Sequence, residues 1–188
     1  MKDIIKQALK DLTNLYYGKG DGYLIFPKKR DGTTRVSEQE ARFLLVKHLE
    51  KNKCRYAVEA PTMLTYRFTG KKELSGNIDI CVYKNEKRSN LVELKANNYR
   101  NNHLSNDFEK LFFDINEETD RDLHNYFIHI LENNNPNMEK YFNAGITTAI
   151  EKKKDNKKKS NVTIFLCILK TKEVKEYKID NNHQVVEL

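Results

Sequence analysis

Cysteine is scarce in this chain. Cys54, Cys81 and Cys167 are odd in number and stand far apart, which argues against a disulfide framework and a zinc knuckle and leaves buried, reduced thiols as the expectation. The 5 histidines show no metal-ligand spacing. Long apolar runs are missing too. No stretch of ~18 apolar residues exists to cross a bilayer, so no membrane partner is expected. The opening Met1-Lys2-Asp3-Ile4-Ile5-Lys6 has no apolar segment of the secretory kind, and a cytoplasmic location is the expectation. Neither an internal repeat nor a shift in composition marks a second unit, so a single domain over residues 1–188 is predicted.

What is present is length, charge and pattern. A chain of 188 residues can close one well-buried core. At 38% hydrophobic and 32% charged, it has the composition of a globular fold with a heavily charged surface. The net charge of +7 makes polyanions the first class of partner, nucleic acid ahead of acidic membrane surfaces.

Helical spacing of Ile4, Ile5, Ala8, Leu9, Leu12 and Leu15/Tyr16 predicts a first amphipathic helix over residues 3–17. The Gly18-Lys19-Gly20-Asp21-Gly22 cluster follows a helix and lacks the phosphate-loop spacing, so it reads as a turn. Tyr23–Phe26 reads as a short strand ended by Pro27. Lys28, Lys29 and Arg30, with Arg35, form a basic cluster that either touches phosphate or is a solvated loop. Ser37-Glu38-Gln39-Glu40 opens a second helix with Ala41, Leu44, Leu45, His48 and Leu49 on one face, and Ser37 with Glu40 has the form of a capping box. Residues 55–59 and 64–68 read as two strand-like runs split by Pro61. Phe108, Leu111 and Phe112 predict a helix packed on a sheet. Residues 126–131 read as a core strand, with His129 as a satisfied buried histidine. A helix over residues 136–154 runs into a block containing Lys152, Lys153, Lys154, Lys157, Lys158 and Lys159. That block is either a solvated run or a counterion-releasing arm for DNA. Residues 162–169 form the most apolar strand, and 176–179 its neighbour.

The centre of the chain is the stretch Gly76–Asn97. Its arms, Gly76–Tyr83 and Leu91–Ala96, alternate apolar and polar residues with period two, as strands with one buried face do. Ile78, Ile80 and Val82 would share the core face, with Asn77, Asp79 and Cys81 opposite. The polar connection Lys84–Asn90 suits a hairpin. Paired that way, Asp79, Glu93 and Lys95 converge on one surface. Two hard carboxylates suit Mg²⁺, which usually takes only one or two protein carboxylates, and a lysine beside it could hold or activate water. The competing reading is a solvated strand face. Glu-x-Lys also recurs at Glu151/Lys153, Glu173/Lys175 and Glu176/Lys178, but only the triplet at Glu93 follows a strand carrying an in-phase aspartate.

Asp79 followed by Glu93-Leu94-Lys95 across a variable hairpin resembles the signature of the PD-(D/E)XK, or restriction-endonuclease-like, nucleases, over approximately Ser37 to Leu131. Asn77-Ile78 stands before the aspartate where the signature has proline. The resemblance implies an α/β fold: an αβββαβ core with a mixed β-sheet flanked by helices over residues 37–131, an N-terminal helical extension over 1–36, and a C-terminal helix and strand elaboration over 132–188. It implies a divalent-metal-dependent endonuclease of restriction, repair or defence type acting on DNA. Mg²⁺, with Mn²⁺ as a substitute, would be held by Asp79, Glu93 and the Leu94 carbonyl, and Lys95 would act on water. A further acidic ligand is expected from the second helix, with Glu38 and Glu40 as candidates. Asn97, Asn98 and Arg100 would meet the phosphate backbone. Enzymes of this kind that cut both strands often pair two cores, so a homodimer is expected. The rivals are a catalytically inactive nucleic-acid-binding protein with the same fold and an RNA-directed nuclease.

Overall fold

In the computed structural model, residues 1–20, 22–66, 74–97, 101–115, 123–153 and 160–188 are described. Elements follow in the order α1 (Lys2–Tyr16), α2 (Glu38–Lys51), β1 (Arg55–Tyr66), β2 (Leu74–Lys84), β3 (Lys87–Ala96), α3 (Asn101–Phe113), β4 (His124–Leu131), α4 (Met138–Lys152), β5 (Asn161–Ile168), β6 (Glu173–Ile179) and β7 (Val185–Glu187). The strands form one 7-stranded sheet in chain order, β1 through β7. Pairing is antiparallel at both flanks and parallel in the centre, where β3 meets β4 and β4 meets β5. The chain is thus an α/β protein with a mixed sheet.

Parallel neighbours need a crossover, and the crossovers here are α3 and α4. Both steps advance in the same direction along the sheet, and a fixed crossover hand puts both helices on the same face. Leu104, Phe108, Leu111 and Phe112 of α3 and Phe142 and Ile146 of α4 pack there against Leu91, Phe127, Ile164 and Leu166. The other face carries α1 and α2, whose Ile5, Leu9, Leu12, Leu45 and Leu49 meet Ile80, Val92, Ile128 and Phe165. With both faces covered, the central strands lose their alternation and read as continuous apolar runs, as at Tyr126–Leu131 and Val162–Leu169.

Several expectations need correction. The faces of β2 differ from those expected: Cys81 is buried with α3 and α4, and Ile78 packs in that same layer while Ile80 and Val82 face α1 and α2. The alternation breaks beside Asp79, where Glu59 on β1 has a φ of +51° and drops out of the ladder between Val58↔Ile80 and Ala60↔Ile78. Pro61 does not split β1. It pairs with Asn77 on an edge strand, where the missing N–H is tolerated, and the irregularity falls after it. Residues Tyr23–Phe26 form no strand, and a single bridge, Lys28↔Thr34, closes the basic loop instead. The C-terminal strands continue the same sheet, with β5 between β4 and β6. No helix among the described residues is long and apolar enough to cross a membrane.

Candidate active site

The β2–β3 ladder stops at Ile80↔Val92. Beyond that pair β2 continues along β1, and β3 continues along β4, so the two strands part and leave a notch in the sheet. Asp79 and Glu93, each the next residue past the last rung, stand at its opening. Side chains replace the missing rungs: the Leu94 amide donates to Asp79 Oδ2 at 2.7 Å, and Lys110 Nζ donates to the Asn77 carbonyl at 2.9 Å.

Glu93 follows the phase of Leu91 and so points under α3, where its side chain is 3% exposed. Lys110 Nζ approaches its Oε1 to 2.5 Å, a close ion pair. Burial raises the Glu93 pKa well above the usual carboxylate range, and the charges of Asp107 and Asp79 push the same way against Lys110. Lys95 lies 2.9 Å from Asp107 Oδ2 and 4.0 Å from Glu38 Oε1. Burial pulls its pKa down, but Asp107, Glu38 and Glu93 outweigh that, and the net shift is upward. Lys95 is therefore an ammonium at neutral pH. Asp79 is paired with Arg42 of α2, whose other guanidinium nitrogen reaches Glu59 at 2.6 Å.

Of the two helix glutamates, Glu38 is the one that arrives. It accepts from the Ala96 amide at 3.3 Å, and burial raises its pKa, with Lys95 opposing. Glu40 is buried and receives the Ser37 hydroxyl at 2.6 Å. That contact replaces the expected box, since Ser37 makes no side-chain bond to the backbone of the helix.

The periphery is mixed. Lys28 binds Thr34 Oγ1 at 2.9 Å, while Lys29 and Arg30 are exposed on a loop that runs directly into α2. The side-chain oxygen of Asn97 is taken by the Glu132 amide at 3.2 Å. Lys152 and Lys153 are not a free arm: both face Glu109, at 3.5 and 3.7 Å, and Lys152 also reaches Asn106 at 2.8 Å. Asn98, Arg100, Lys154, Lys157, Lys158 and Lys159 lie outside the described residues. The other Glu-x-Lys pairs have structural partners: Glu176 holds Lys2 and Lys6 at 2.5 and 2.7 Å, and Lys175 bridges Glu173 and Glu187.

The sequence reading missed Asp107 and Lys110. They sit on α3 beside Phe108 and Leu111, so the signal was their position at the rim of an apolar helical stripe. It also missed that His129 is enclosed with neither ring nitrogen bonded to a described residue. No family model, curated protein or solved structure matches the chain.

Among the described residues, no group of 3 or more His, Cys, Asp or Glu side chains could hold a metal by itself. The donor set nevertheless fits a hard dication. Asp79 and Glu93 open on one notch as hard carboxylate donors, and Mg²⁺ completes its octahedron with water and substrate phosphate.

Proposed function

We propose that this chain is a divalent-metal-dependent nuclease with a restriction-endonuclease-like core, formed by α2, β1, β2, β3, α3 and β4, and that it hydrolyses phosphodiester bonds in DNA. The observation that carries this reading is the notch: two carboxylates from parting strands, with an ammonium two residues beyond one of them, brought together by the ladder's end at Ile80↔Val92.

Asp79 and Glu93 would hold Mg²⁺ or Mn²⁺, with the Leu94 carbonyl and Glu38 as candidates to complete the set. The bound ion would supply Lewis acidity at the scissile phosphate and a more acidic water. Lys95, protonated by its carboxylate surroundings, would donate to the attacking water or a phosphate oxygen and fix the in-line approach. One P–O bond forms to the water oxygen and the opposite P–O bond breaks. The Lys28–Arg30 loop, which leads into α2 beside Glu38, would grip the phosphate backbone.

One observation favours the rival reading. Arg42 and Lys110 already neutralise Asp79 and Glu93, as they would in a nucleic-acid-binding protein that never takes up metal. Incubation with plasmid DNA in Mg²⁺ or Mn²⁺, beside EDTA, separates the two. Nicking is expected with either metal and none with EDTA, and Lys95→Ala should cut about 100-fold more slowly or worse while binding DNA as before. Tight, salt-sensitive binding without cleavage on any substrate would select the binding protein. Cleavage of RNA in preference to DNA would redirect the substrate assignment.

A further inference from the structure

A buried carboxylate that stays ionised needs a counter-charge, and Lys110 brings one to Glu93 from within the chain. Lys110 reaches it at 2.5 Å, stands 3.4 Å from Asp107 Oδ1, and spans the notch to the Asn77 carbonyl at 2.9 Å. Its side chain is 10% exposed, so it has little water to retreat into. A dication bound to Glu93 needs the position and the charge that this ammonium supplies, and two cations cannot share one carboxylate oxygen at such range without strong repulsion.

Asp107 offers a second berth. It lies one helical turn before Lys110, and its other oxygen already holds Lys95 at 2.9 Å. Around the notch, Glu38, Asp79, Glu93 and Asp107 lie among Arg42, Lys95 and Lys110, with Arg42 shared between Asp79 and Glu59. Moving the Lys110 ammonium off Glu93 leaves that carboxylate without its counter-charge at the notch, the position a dication would fill.

We propose that Lys110 is a place-holder cation for the metal: it occupies Glu93 when the ion is absent and exchanges with it, moving toward Asp107 when the ion binds. It is a positioning residue, holding the Glu93 side chain and the notch closed between turnovers. The proposal rests on the metal-dependent reading above and adds to it a competition built into the chain.

The test is Mn²⁺ binding by the full-length chain, followed by calorimetry and by the paramagnetic signal of free Mn²⁺, for the native protein and Lys110→Met. Tenfold or greater tightening in Lys110→Met is expected, with a larger rise in melting temperature on adding Mn²⁺ than the native chain shows. The double variant Glu93→Gln/Lys110→Met should regain stability in EDTA and lose the Mn²⁺. Amine-reactive labelling of the native chain, read by mass spectrometry, needs no substitution: Lys110 should be modified several-fold faster with Mn²⁺ than with EDTA. Native chain that binds Mn²⁺, with no tightening in Lys110→Met or no change in Lys110 labelling, overturns the place-holder and leaves the nuclease reading standing. Should Lys110→Met not fold, the labelling decides alone. Absence of Mn²⁺ binding in every form overturns both.

Discussion

His129 stands on β4 opposite Lys95, fully enclosed between Phe127 and Phe142. Burial, with help from the Lys95 ammonium, pushes its pKa down to about 3. Between that value and its ordinary 6.5 the unfolded chain holds a proton that the native chain refuses. Stability from this group is therefore complete above pH 6.5 and is lost as pH falls, by up to about 1.4 kcal/mol per unit. His129→Leu removes the titration and two unbonded nitrogens together. Measured by urea unfolding, it should be more stable than the native chain at pH 5, with the advantage smaller by about 2 kcal/mol at pH 7. An equal pH dependence in the two proteins would show that the imidazole titrates normally. From sequence, a histidine in an apolar run reads as core, and that much holds. Whether it finds a partner depends on α3 and α4 above it, which no local pattern specifies.

Helix α3 joins the site to the core. One side presents Asp107 and Lys110 to β3, and another lays Leu104 and Phe108 on α4 at Gly145. A Cβ built on Gly145 would lie 3.0 Å from Leu104 Cβ and 3.3 Å from a Phe108 ring carbon. The glycine thus sets the depth at which α3 lies. Gly145→Leu should cost about 1–3 kcal/mol through overpacking. In the nuclease assay it should lower cleavage although it is remote from Asp79 and Glu93, because α3 must shift. Full activity with reduced stability would show that α3 can move without carrying its charges off Glu93. The helix itself was legible from Phe108, Leu111 and Phe112. Its two buried charges were not, since charged residues default to water and only the register of α3 against β3 makes Lys110 the counter-ion of Glu93. The β2–β3 hairpin was legible for the opposite reason: its pairing is local, and turn chemistry and alternation state it directly. The loss of alternation at Ile78 was hidden because it arises from Glu59 on the neighbouring strand.

Across the whole molecule, the sheet runs in chain order with helices on both faces, and the basic loop Lys28–Arg30 precedes α2, which opens at Glu38. A run of central apolar strands was readable in the sequence. That residues 161–187 extend the same sheet was not, because a strand's place in a sheet depends on partners far along the chain. The excess positive charge predicts salt-sensitive binding to duplex DNA, with affinity falling as salt rises. Replacing Lys28, Lys29 and Arg30 together by alanine should flatten the slope of log affinity against log salt by about 2.7, if all three meet phosphate. Filter binding in Ca²⁺ or EDTA across a salt series measures it. An unchanged slope would place the DNA elsewhere on the surface.

The parted strands carry one more consequence. Past Ile80↔Val92, Asp79 holds the Leu94 amide and Lys110 holds the Asn77 carbonyl, so the residues assigned to chemistry are also the stitches of an open seam. A dead variant made at Asp79 is then a poor control, since it unpicks backbone as well as silencing reaction. Lys95, whose ammonium is bound only to carboxylates among the described residues, is the cleaner place to separate a lost reaction from a loosened sheet.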